Sequence, residues 1–165
     1  PPQAKSSLYI TLDGYEALQA ELDGLWKRRH IVTAALAAAA AEGDRSENAE
    51  YIYRKKELRE IDARVRFLRK RLDNMVVVDR IPTDTDKVYF GAWVTIEDEE
   101  GDEVTYRVVG PDEFDPKLGY ISMDSPMGKA LLGKSLDDEI SIIVETKEGP
   151  KKSSYIINEI SYKPI

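Results

Sequence analysis

From Tyr15, positions spaced alternately by three and four run Leu18, Leu22, Leu25, Arg29, Val32, Leu36 and Ala39. From Tyr51 the same spacing gives Arg54, Leu58, Ile61, Val65, Leu68, Leu72 and Met75. Each series is a heptad seam interrupted once by an arginine, the pattern of helices that pack as a coiled coil. Only a few residues around Gly43 separate the two, so the predicted connection is an antiparallel hairpin. Thr11 is the candidate N-cap of the first helix, and Pro82 stops any continuation of the second. About 28 residues at about 1.5 Å each make a rod roughly 42 Å long. That is longer than a hairpin needs to support a small neighbouring domain, and the rod is expected to project.

After "DRIPTDTDK" the period changes to two. Predicted strands are Val88–Phe90, Trp93–Glu97, Val104–Val109, Tyr120–Ser122, Ile140–Glu145 and Ser154–Ile160, all rich in Val, Ile or Tyr. Gly101 in "EDEEGDE" and the glycine of "TKEGPKK" mark hairpin turns. "SPMGKALLG" reads as one short helix, with Ser125 as N-cap, Pro126 at its first position and Gly133 beyond its end. The expected fold class is α+β. An N-terminal antiparallel coiled-coil hairpin (residues 1–79) precedes a small C-terminal antiparallel β-sheet domain with one short helix (residues 80–165).

Composition narrows the chemistry. With 42% hydrophobic and 33% charged residues among 165, the chain is expected to fold and to dissolve. It contains no cysteine, which excludes disulfides, thiolate catalysis and cysteine zinc sites. No apolar run approaches the roughly 20 residues of a membrane span, so no membrane partner is expected. "PPQAKSS" lacks the apolar centre of a signal peptide and reads as a loose tail. The expected location is the cytoplasm. The net charge of −7 is unevenly placed: residues 1–78 hold 14 basic and 12 acidic side chains, residues 79–165 hold 10 and 19. Arg54 to Arg71 alone carries nine Lys or Arg against Glu57, Glu60 and Asp62. A basic stripe on an otherwise acidic chain suits local contact with a nucleic-acid-containing partner and disfavours naked polyanions.

The turn between the helices, "EGDRSENAEY", brings Glu42, Asp44, Glu47 and Glu50 together. A structural account is available. Asp44 to Glu47 has capping-box spacing, Ser46 is a rival N-cap, and acids favour a helix start. The alternative is metal chemistry. Carboxylate oxygens are hard ligands that suit Mg²⁺, which takes one or two protein carboxylates and keeps its waters. Asp44 and Glu47, three apart, could face one side at a helix start. Alone they would bind weakly, but they could complete a site held by a partner in a two-metal phosphodiester reaction.

"GDRSENAEY" at the turn, "GYEALQAEL" in the first helix, "FGAWV" in the sheet and "DSPMGKALLGK" near the end resemble the Gre family of bacterial transcript cleavage factors. "FGAWV" and the basic second helix look like its GreB branch. The resemblance runs from about Tyr9 to Tyr162. It implies an FKBP-like globular domain and a coiled coil that enters the secondary channel of bacterial RNA polymerase. Carried over by motif position, Asp44 and Glu47 would help hold an Mg²⁺ shared with the polymerase active centre, together with its attacking water. Backtracked nascent RNA would be cut near its 3′ end. The chain would then be no enzyme itself but a donor of carboxylates in trans. Ser46 and Asn48 would lie in the surrounding shell or on RNA.

The basic side chains Lys55, Arg59 and Arg66 share one outward stripe by helical spacing. Solvated charge is their plain reading, and the resemblance adds contact with displaced RNA or the channel walls. Asp124, Ser125, Pro126 and Met127 form good helix-start chemistry. In the family this loop docks at the channel rim. The alanine run "AALAAAAA" favours a stiff helix or a thin shaft for a narrow pore, and weak alanine packing would let the tip fray. His30 sits on the shaft, away from any expected chemistry, and Trp26 and Trp93 read as packing residues. Two rival functions remain: a Gre-like channel-binding inhibitor without cleavage activity, and a non-catalytic coiled-coil adaptor.

Overall fold

The computed structural model describes residues 6–43 and 48–165. It divides into two compact units, Tyr15–Met75 and a second made of Pro1–Gly14 with Val76–Ile165.

The first unit is the helical hairpin predicted from the seams: α1 spans Leu12–Ala40 and α2 Ala49–Asn74. Leu18, Val32 and Ala39 of α1 and Ile61, Val65 and Leu68 of α2 are buried, all of them seam positions. Val32, Ile61 and Val65 form its core, flanked by Leu22, Leu25 and Leu58. The antiparallel register is drawn in ion pairs, because Arg28 meets Glu57 at 2.8 Å while Arg64 meets Glu21 at 2.8 Å. The arginine that interrupts the first seam turns its Nε to Asp62 at 2.8 Å. That hydrogen bond holds the Arg29 guanidinium above its ordinary pKa.

The second unit carries a five-stranded sheet in the order β5-β4-β3-β7-β6. Its strands are β3 (Trp93–Glu97), β4 (Glu103–Val109), β5 (Tyr120–Ser122), β6 (Glu139–Thr146) and β7 (Gly149–Ser161). The short helix α3, Pro126–Leu131, begins at the predicted cap. Val88, Ala92, Val94, Ile96, Val108, Leu131, Ile140 and Ile157 form the core, with Met127 and Ala130 of α3 packed on it. Central β3 loses strict alternation: Thr95 is buried between Val94 and Ile96 and bonds the Thr105 hydroxyl at 2.8 Å.

Three features differ from expectation. The sheet is mixed, because β5 runs parallel to β4. The chain from Gly110 to Gly119 makes two 3₁₀ turns, Pro111–Glu113 and Pro116–Leu118, and returns to the same edge in the same direction. Val88–Phe90 is not a strand. Val88 spends its backbone on the loop after α3, donating to Lys134 O at 2.7 Å and accepting from Gly133 N at 2.8 Å. Last, two-residue strands β1 (Tyr9–Ile10) and β2 (Val76–Val77) pair in parallel, too short to leave a periodic signal. They draw residues from both sides of the hairpin into the globular unit, which a single division after residue 79 does not anticipate. The β-branched run Val76–Val78 favours this extended path, so α2 stops at Asn74, well before Pro82.

Candidate functional site

The hairpin tip is built from helix-end chemistry. The last turn of α1 leaves carbonyl groups without helical partners. The Ala39 oxygen accepts from Glu42 N at 3.2 Å and from Asn48 Nδ2 at 2.8 Å. The same Asn48 side chain caps α2, its Oδ1 accepting from Tyr51 N at 3.1 Å. One amide thus serves both helices. This corrects one expectation. The N-cap of α2 is Asn48 rather than Asp44 or Ser46, because asparagine supplies the acceptor three residues before Tyr51. Asp44, Ser46 and Glu47 themselves lie outside the described residues.

Of the flanking acids, Glu42 is exposed. Glu50 is drawn into an ion pair with Arg54 at 2.7 Å, and that hydrogen bond raises the Arg54 pKa further. Arg54 also reaches Glu57 at 3.3 Å. The arginine that interrupts the second seam therefore binds acids along its own helix.

The basic stripe is where helical spacing puts it. Lys55, Arg59 and Arg66 are exposed. Lys55 lies 5.8 Å from the Tyr51 ring centroid. None of the three is in an ion pair among the described residues. Ile52 and Tyr53, 53% and 59% exposed, stand beside this stripe near the tip.

The α3 loop is more occupied than its sequence suggests. The Asp124 carboxylate accepts from Ser7 N at 2.8 Å and from the Ser7 hydroxyl. Ser125 Oγ accepts from Gly128 N at 3.1 Å and donates to Ser122 O at 2.6 Å. Met127 packs against the sheet core, leaving Pro126 as the exposed member of the four. Trp93 packs as expected, with the Arg107 guanidinium 3.9 Å over its ring, whereas Trp26 and His30 are exposed on α1.

Two features escaped the sequence reading. Asn48 carried a usable signal, since asparagine directly before "AEY" is a favoured N-cap. Glu113 carried none. It accepts from the Thr11 hydroxyl, from Thr11 N at 3.1 Å and from Gly110 N at 2.8 Å, a contact across 102 residues. Thr11 in turn caps α1 by accepting from Gly14 N at 3.1 Å, as predicted.

Residues 8–77 match the family described as "Transcription elongation factor, N-terminal" and residues 83–162 match "Transcription elongation factor, GreA/GreB, C-term". Transcription elongation factor GreB of Pseudomonas aeruginosa is 55% identical over 165 residues, covering 99% of this chain and 96% of that protein. Its counterpart from Xanthomonas axonopodis is 60% identical over 167 residues, covering 100% and 97%. Among solved structures, Gfh1 of Thermus thermophilus is 28% identical, covers 94% of this chain and 99% of its own, and superposes with a TM-score of 0.43.

Proposed function

This chain belongs to the GreA/GreB family of transcription elongation factors, and on that premise we propose that it binds RNA polymerase and stimulates cleavage of backtracked nascent RNA. The helical hairpin enters the secondary channel, and the tip brings Asp44 and Glu47 to the polymerase active centre. The polymerase remains the nuclease, and this chain donates residues in trans.

The observation that carries the tip assignment is the cap of α2. Asn48 performs that task, so helix capping makes no demand on Asp44 or Ser46. Glu50 is already paired with Arg54 and is less available as a metal ligand. Asp44 and Glu47 remain as hard oxygen donors of the kind Mg²⁺ accepts. Among the described residues no group of three His, Cys, Asp or Glu side chains is placed to hold a metal. A shared ion, held mainly by the polymerase, fits two donors. When bound it supplies charge neutralisation at the phosphodiester and an activated water. Lys55, Arg59 and Arg66 line the approach, where their unpaired charge meets RNA or the channel wall. Pro126 and the Asp124 carboxylate form the docking contact at the rim.

The test is a stalled, backtracked elongation complex with labelled RNA and Mg²⁺, given wild-type or Asp44→Asn/Glu47→Gln protein. RNA shortening with wild type, lost in the double variant, is the expected result. Inhibition of synthesis without shortening identifies an obstructive factor instead. No effect in either direction leaves only an adaptor role.

A further inference from the structure

We propose that Asn48 is a positioning residue whose amide latches the two helices together and sets the frame from which the tip carboxylates act; this rests on the function proposed above. The side chain uses both of its ends. Oδ1 accepts from Tyr51 N on α2, and Nδ2 donates to Ala39 O on α1. Capping alone does not require asparagine, since aspartate caps as well. Donation to a carbonyl does require the amide, because an ionised carboxylate has no proton to give. Asparagine answers both demands at once.

The α1 end is an alanine run, of which Ala39 is buried. On α2, the first fully buried residue is Ile61. Arg28 and Glu57 form a further cross-helix contact along the shaft. Glu57 lies nine residues beyond Asn48, about 13 Å along the helix. Where α1 offers only alanine for packing, a hydrogen bond joins the two helix ends across nine positions of sequence. Two carboxylates that must meet an ion fixed in another macromolecule benefit directly. A loop with both ends held loses fewer conformations when it reaches its working geometry.

The test compares wild type, Asn48→Asp, Asn48→Ala and Asp44→Asn/Glu47→Gln. Three readouts are needed: RNA cleavage in backtracked complexes across an Mg²⁺ titration, polymerase affinity by competition, and the thermal midpoint by circular dichroism. Asn48→Asp retains the cap acceptor and loses the donor to Ala39. It is expected to raise the half-saturating Mg²⁺ concentration roughly five-fold, the equilibrium weight of one amide–carbonyl hydrogen bond. Polymerase affinity stays at the wild-type value, and the thermal midpoint falls by less than in Asn48→Ala, because the cap is kept. Asn48→Ala shifts the Mg²⁺ dependence at least as far and lowers the midpoint as well, because the cap goes too. Wild-type Mg²⁺ dependence in Asn48→Asp overturns the positioning role while leaving the tip assignment standing. So does a loss explained wholly by weaker polymerase binding. Cleavage by Asp44→Asn/Glu47→Gln at the wild-type rate overturns the tip assignment itself, and the positioning role with it.

Discussion

Replacing Glu113 by alanine tests how the start of α1 is held. The carboxylate receives three donors: the Thr11 hydroxyl, the Thr11 amide and the Gly110 amide. Thr11 is only 4% exposed, so its groups cannot simply turn to solvent. A donor left unpaired on burial costs about 1–3 kcal/mol, which would allow a loss of up to about 9 kcal/mol. Glu113 itself is only half-buried, and its removal admits water, so each donor belongs near the lower end. The expected loss is about 3 kcal/mol. Glu113→Gln should not restore it, since the amide offers one acceptor where the carboxylate offers two and turns a donor toward donors. Thr11→Ala removes the cap on Gly14 and one donor, for about 1–2 kcal/mol. Because Thr11 and Glu113 share a hydrogen bond, the double variant should lose less than the sum, by about 1 kcal/mol. Urea denaturation at 25 °C measures this as a shift of midpoint at unchanged slope. A Glu113→Ala loss below about 0.5 kcal/mol would refute the reasoning, as that is the size of an ordinary surface substitution.

Two further perturbations follow from the globular unit. A Cβ at Gly128 would lie 2.2 Å from Ser122 O and 3.0 Å from the Met123 Cα. Both are backbone atoms that cannot rotate away, so Gly128→Ala must displace α3. It should cost about 1–3 kcal/mol by urea denaturation and weaken polymerase binding in the same competition assay. Tyr162 is a titration probe: burial raises its pKa above 10.0, opposed by the hydrogen bond from Tyr89 N. The folded state therefore holds the neutral phenol more firmly than the unfolded chain does. That contribution is complete below pH 10 and disappears as pH rises through the folded value. Tyr162→Phe should lose stability at neutral pH, where the hydroxyl bonds Tyr89 N at 2.8 Å and Lys87 O at 2.5 Å. It should lose less additional stability between pH 10 and 11.5, and parallel curves for the two proteins would contradict this.

The helical hairpin was legible because its information is local and repeated. Every buried residue of α1 and α2 lies on the seams read from spacing, and Ser125 and Thr11 cap the helices they were expected to cap. The longer strands were legible for the same reason. What escaped detection was pairing between distant segments. β1 and β2 are two residues each and exist because they meet one another. Val88 looks like a strand residue, but its partners come from the loop after α3. At the candidate site, Lys55, Arg59 and Arg66 were readable as an exposed stripe, since helical spacing decides that. Asp124 was harder. Its occupation by Ser7 joins positions 117 apart, for which no local pattern exists.

The same distinction explains how the hairpin apportions its stability. Residues directly outside the two helices, Tyr9–Ile10 and Val76–Val77, are tied by parallel pairing, and Glu113 holds the first cap. Along the shaft come ion pairs and the cluster of Val32, Ile61 and Val65. Toward the tip α1 falls away to alanine while α2 keeps Tyr51, and the Asn48 amide links the helices. A coiled coil designed only for stability would continue large apolar side chains through every seam position. Here α1 places alanine at its last seam position, where the helices approach the acids. Substitution of Leu68 or Val65 should therefore cost folding energy and reduce activity through it. Changes at Asn48 that preserve the cap should cost little folding energy and appear mainly in the dependence on the ion. That separation is what one expects of an element whose root is built to fold and whose end is built to be completed by another macromolecule.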